Sequence, residues 1–187
     1  SSKTATAKDG IELTVVVEEG PKGAIVEVAF ENVSAFPASV LRARMKTRVR
    51  RALLFRGYLK KEILEEDCRT LQKFYRQRGF LDMAITGTSI APKGRGVAIT
   101  LTVFEGPRYT LGTVNFTGSL LVPEETLRAL LTLKQEGSVF DGVAAEKDLA
   151  ALRTFYVDRG HIRATVEQIP HPGAGTNVIN LTYAIAP

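Results

Sequence analysis

The chain has 187 residues, 44% of them hydrophobic and 24% charged, with 25 basic and 20 acidic side chains and a net charge of +5; this bounds it to one or two ordinary globular domains. No apolar run approaches the roughly 20 residues of a membrane-spanning helix, and no stretch has the basic, apolar, small-residue order of a secretion signal. Its single cysteine, Cys68, excludes an intramolecular disulfide and cannot build a zinc site alone.

In chain order, DGIELTVVVEEGP (9–21) reads as the last strand and exit of a unit whose beginning is missing. AIVEVAF (24–30) alternates apolar and polar residues, the pattern of a half-buried strand. A short helix is predicted near 37–46, with Pro37 suited to its first turn. The spacing of Leu64, Cys68, Leu71 and Phe74/Tyr75 predicts a long helix over 61–78 with one apolar face, stopped by Gly79. LDMAITGTSI (81–90) and GVAITLTVF (96–104) are expected strands around a turn at residues 92–96. The second half repeats this order: strand 109–117, helix 123–133, helix 143–159 ended by Gly160, then strands 162–169 and 177–185.

That recurrence is a duplication. LQKFYRQRGFLDMAI (71–85) and LRTFYVDRGHIRATV (152–166) share Leu, Phe, Tyr, Arg and Gly in register at an offset of 81 residues. VVEEGPKGAIVEVAFENVS (16–34) and TVFEGPRYTLGTVNFTGSL (102–120) share Glu-Gly-Pro and a Val-x-Phe at an offset of 86. A period near 80 is too long for a solenoid repeat and suits tandem small domains. The expected division is the tail of a preceding domain at 1–21, one domain at 22–107 and another at 108–187, within a parent that continues at both ends.

The order strand, helix, helix, strand, strand, with Tyr75…Gly79-Phe80 and Tyr156…Gly160, Glu105-Gly106-Pro107 and VNFTGS (114–119), resembles the POTRA domains of BamA-type outer-membrane assembly factors. The segment 45–71, with its Glu66-Asp67 pair before the helix core, is similar to the same part of that family. His161 departs from the usual aromatic, and FENVSAF lacks the family's glycine-containing opening. The resemblance implies an α+β fold: tandem β-α-α-β-β domains, each a three-stranded mixed sheet with two helices on one face. It also implies a periplasmic location ahead of a C-terminal membrane β-barrel in the parent. The implied partners are unfolded outer-membrane proteins, accessory assembly lipoproteins and other POTRA domains. TamA-like factors, two-partner secretion transporters and the chloroplast import channel are alternatives within the family.

Catalysis is not expected. His161 and His171 have no nucleophile beside them in a recognisable signature. Glu65-Glu66-Asp67 reads as an acidic cluster at a helix N-terminal turn, where it complements the dipole. KGRG (93–96) lies between strands, so it reads as a turn and not as a phosphate loop. Neither a cofactor nor a metal site is read.

Recognition through the backbone remains. The edges of a three-stranded sheet carry unpaired N–H and C=O groups, along which an extended polypeptide can add as a further strand. The resemblance puts the strand after the long helix at an edge. Met83, Ile85, Thr86, Gly87, Thr88 and Ile90 are the candidate client-binding residues there, because 83–91 has no charge while RATVEQI (163–169) carries Arg163 and Glu167. Glu18, Gly20 and Pro21, and Glu105, Gly106, Pro107 and Arg108, are read as interdomain hinges, with Gly106 free to adopt an unusual backbone angle.

RARMKTRVRRALLFRGYLKK (42–61) has nine Lys/Arg and no acidic residue. Its Arg44, Lys46, Arg48, Arg50, Arg51 and Arg56 form a candidate basic surface for anionic lipid or an acidic partner. This segment and a pI near 9.4 also raise nucleic-acid binding as a reading from another class. It is not expected, because Phe30, Phe104 and Phe116 fall on strands at positions predicted to face the core, not on an exposed stacking face.

Overall fold

The computed structural model describes residues 3–6, 12–15, 24–47, 49 and 60–186. Near the start, β1 (Lys3–Thr6) pairs antiparallel with β2 (Glu12–Val15). The first repeat comprises β3 (Ala24–Glu31), α1 (Ala38–Arg44), α2 (Lys61–Arg76), β4 (Ala84–Lys93) and β5 (Gly96–Phe104). The second comprises β6 (Thr110–Gly118), α3 (Glu124–Leu130), α4 (Gly142–Val157), β7 (Thr165–Pro172) and β8 (Val178–Ala186).

In each repeat the last strand lies in the middle of the sheet. The orders are β3-β5-β4 and β6-β8-β7. The β3–β5 and β6–β8 ladders are parallel, and β4–β5 and β7–β8 are antiparallel. The strand after each long helix is therefore an edge strand, as the family resemblance implies.

Alternation decides which face carries the core. Along β5, Val97, Ile99, Leu101 and Val103 are at most 2% exposed. They pack with Leu41 of α1 and Leu64, Leu71, Phe74 and Tyr75 of α2. The second core repeats this with Leu127, Leu152, Phe155 and Tyr156 against Leu181, Tyr183 and Ile185. Each fully buried aliphatic or aromatic side chain contributes about 1.5–3 kcal/mol relative to exposure. Phe104, expected in the core, is instead 54% exposed. It follows the inward Val103, so the two-residue period turns it to the outer face. Thr102, two residues back on that face, donates its hydroxyl to Glu31, an acidic setting unsuited to phosphate.

Both long helices stop in the same way. Gly79 (φ +90°) and Gly160 (φ +84°) adopt the left-handed conformation. The next amide, of Phe80 or His161, then donates back to the carbonyl of Tyr75 or Tyr156. Arg78 and Arg159 lie over Phe74 and Phe155 at 3.9 and 3.5 Å and donate to the carbonyls of the same residues. The shared Phe, Tyr, Arg and Gly thus form one helix-ending unit used twice.

Asp67 is not in a helix N-terminal turn. It is the seventh residue of α2 and 1% exposed, accepting from the amides of Lys46 (2.5 Å) and Thr47 (2.8 Å) just after α1. Asp148, the seventh residue of α4, accepts in the same way from Thr132 and Leu133, both at 2.8 Å. Each aspartate ties the end of the short helix to the long one by accepting from two successive amides just beyond the short helix.

Candidate functional site

Each sheet has two edges, and the structure treats them unequally. On β3 the Arg42 guanidinium, from α1, donates to the Val28 carbonyl, and Arg128 of α3 does the same to Val114 on β6. On β7 Arg153 of α4 donates to Val166, while Pro170 and Pro172 remove two backbone donors. Charge, proline and arginine caps on backbone acceptors all discourage strand addition.

β4 carries little of this protection. From Thr86 to Ala91 it carries no charge and no proline; its devices are a register shift between Ile85 and Gly87, then Pro92 and Lys93 at its far end. Lys93 pairs there with Glu27 of β3 across the sheet. Thr86, Thr88 and Ile90 are exposed, Ile85 and Gly87 half-buried. The Thr86 hydroxyl donates to the Thr102 carbonyl of β5. Gly87 lies against Thr102, whose hydroxyl oxygen would be 3.3 Å from an added Cβ. Met83 does not belong to this surface. It precedes β4 and is 6% exposed within the first core, so an approaching strand would not meet its side chain.

The candidate hinge at 105–108 is densely bonded. Glu105 is 8% exposed, and its carboxylate accepts from the Ser34 amide (2.9 Å), the Ser34 hydroxyl (2.6 Å), the Ala35 amide (3.1 Å) and the Tyr75 hydroxyl (2.7 Å). Burial alone would raise its pKa, but these donors together hold it below the usual carboxylate range. Burial, then the bond to Glu105, pushes the Tyr75 hydroxyl well above its ordinary value. Gly106 has φ +67°, and a side chain there would crowd Asp82 Cβ at 3.0 Å.

Beyond Pro107 the second repeat docks on the end of α2. The Tyr109 amide donates to the Gly79 carbonyl (2.8 Å), Arg108 Nε to the Arg78 carbonyl (3.1 Å) and the Tyr109 hydroxyl to Asp82 (2.8 Å). Leu81 packs on the second core, and Arg76 of α2 pairs with Glu146 of α4 at 2.7 Å.

The remaining candidates are scattered. Arg44 is exposed and stacks over Phe74 at 4.8 Å, and Lys46 pairs with Glu66 at 2.5 Å. Arg48, Arg50, Arg51 and Arg56, like Glu18, Gly20 and Pro21, lie outside the described residues. Among the described residues no three His, Cys, Asp or Glu side chains cluster to hold a metal ion, and no helix is long and apolar enough to cross a membrane. Sequence reasoning placed Asp67 at a helix N-terminal turn and passed over Asp148. The signal was present, because they stand 81 residues apart, the offset that relates the two helix ends.

Two β-α-α-β-β units with the last strand central, joined by a short linker that follows the buried Glu105, define a tandem-domain protein. The POTRA family model, described as surface antigen variable number repeat, matches residues 24–106 and 109–187. The chain belongs to the POTRA family. It is 27% identical over 179 residues to the outer membrane protein assembly factor BamA of Nitratidesulfovibrio vulgaris, covering 92% of this chain and 23% of that protein. It is 28% identical over 186 residues to BamA of Neorickettsia risticii, covering 95% and 24%. The chain thus spans about a quarter of the length of these relatives. Among solved structures, POTRA domains 3–5 of Haemophilus influenzae BamA superpose with a TM-score of 0.72 at 19% identity, covering 92% of this chain and 69% of that one. The tandem POTRA fold is similar to that of BamA POTRA domains 3–5.

Proposed function

We propose that these domains are the periplasmic polypeptide-binding and scaffold region of a BamA-like outer-membrane β-barrel assembly factor, and that client proteins or accessory subunits add as a strand along β4. The observation that carries this reading is the contrast between edges: Thr86–Ala91 is free of charge and proline, whereas β7 has Glu167, Pro170, Pro172 and an arginine-capped carbonyl. Main-chain bonding serves clients of differing sequence, because it reads no side chain. Glu105 and the docked end of α2 give the second domain a defined position relative to that edge.

The test is site-specific photocrosslinking of an unfolded outer-membrane protein to positions along β4 and β7. Crosslinks should concentrate on β4 and fall severalfold in the Thr86→Lys, Thr88→Lys double variant, with the circular dichroism spectrum unchanged. Unchanged crosslinking in a folded double variant would refute the edge as the docking site.

A further inference from the structure

Helices α2 and α4 come from different domains and flank an open cleft of about 600 Å³. Its floor is apolar, with Met83 and Val143 at 6% and 7% exposure. Its rim is cationic. Arg69, Lys73 and Arg76 recur at i, i+4 and i+7 on α2, one stripe about 10 Å long. Lys147 lines the α4 side.

Of the described residues lining the cleft, Glu146 alone is acidic, and Arg76 already holds it at 2.7 Å. The α4 side belongs to that helix's first half, close to the positive end of its dipole. Gly142 keeps the approach tight, because a Cβ there would stand 2.8 Å from Leu81 and 3.6 Å from Arg76. Cations, dipole and apolar floor therefore favour the same kind of occupant: one that is anionic at its flanks and apolar at its centre.

We propose that this cleft is the docking groove for an acidic amphipathic helix of a partner protein. Apolar side chains of that helix reach Met83 and Val143, and carboxylates at three- and four-residue spacing meet Arg69, Lys73 and Lys147. Where the end of α2 meets the start of α4 the two helices leave a concave cleft, and a further helix can seat in such a groove. A membrane surface would meet the rim cations but leave the recessed floor uncovered. The groove lies on the helical side and β4 on the sheet, so this inference and the proposed edge binding stand or fall separately.

The experiment is fluorescence anisotropy with the full 187-residue chain and a labelled amphipathic helical peptide carrying Glu at i, i+4 and i+7 between leucines. The Glu peptide should bind, and more weakly as salt is raised. Its Gln counterpart should bind at least tenfold more weakly, as should the Lys73→Glu, Lys147→Glu variant. Both of these lysines are exposed, so the variant is expected to keep its fold and its circular dichroism spectrum. Thr86→Lys with Thr88→Lys should leave peptide binding unchanged. Absence of binding, equal binding of the Gln peptide, or full binding by the charge-reversed variant would each overturn the proposal. Displacement of the peptide by phosphatidylglycerol vesicles that the charge-reversed variant no longer binds would also overturn it, in favour of a membrane contact.

Discussion

Glu105 gathers four donors from two distant segments onto one carboxylate: the amides and hydroxyl at Ser34 and Ala35, and the hydroxyl of Tyr75. Its folded pKa is depressed, so the stabilisation it contributes is complete above the unfolded carboxylate value of about 4.3 and is lost as pH falls through the folded value. Glu105→Gln should cost about 2 kcal/mol at pH 7, since hydrogen bonds to a charged group are worth about 1.5–3 kcal/mol. The difference from the native chain should shrink as pH falls below about 4, read by urea denaturation at several pH values. A constant difference would show that the charge is not what holds the loop. Among the described residues the second repeat lacks this arrangement: proline stands at 187 in the sequence position that corresponds to Glu105, and no carboxylate accepts from the Tyr156 hydroxyl. From sequence, Glu105 looked like linker punctuation, because its partners lie 30 and 71 residues away and leave no local trace.

Each helical pair is fastened by one aspartate that reaches back to the turn after the short helix. Asp148→Ala would leave the buried Leu133 amide and the partly buried Thr132 amide without their acceptor and should destabilise by about 2 kcal/mol. Asp148→Asn, which keeps a single acceptor oxygen, should cost less. Amide hydrogen exchange at residues 132 and 133 should accelerate ahead of the β8 strand, which localises the loss to that turn. The elements themselves were largely legible in the sequence. Period-two strands, the apolar stripe of α2 and the two helix-stopping glycines each carry a local signal, and the repeat doubles it. What stayed hidden was long-range or one residue out of phase. Asp67 sits among acidic neighbours that resemble a helix start, Met83 precedes its strand, and Phe104 falls one position past the last inward side chain of β5. The relative protection of the edges depended on Arg42, Arg128 and Arg153 reaching backbone carbonyls, which no sequence spacing announces.

Across the whole molecule, the junction separates a backbone effect from a packing effect. Gly79 and Gly160 share a left-handed conformation, but a Cβ at Gly79 would stand 2.7 Å from the Tyr109 carbonyl, whereas nothing lies within 4 Å of one at Gly160. Alanine at either site should bring a similar backbone strain of about 1 kcal/mol. Only Gly79→Ala should broaden the interdomain distance distribution measured by small-angle scattering or paired spin labels. Pro107→Gly should leave it nearly unchanged, because the Tyr109, Arg108 and Arg76 contacts remain. Equal broadening by the two alanine variants would assign the interdomain angle to helix termination instead of docking. The central position of β5 and β8 carries a further consequence, for the order of events as a chain emerges end first. A nascent or translocating first repeat has both outer strands and both helices before it has the strand that joins them. Its sheet cannot close until residues 96–104 arrive, and the carboxylate that bolts the loop at 34–35 comes immediately after. Completion of each unit is therefore a terminal, almost single-step event with a long loop to close, a slow topology in kinetic terms. Until that step the strands that become the two sheet edges lack the central strand that pairs them.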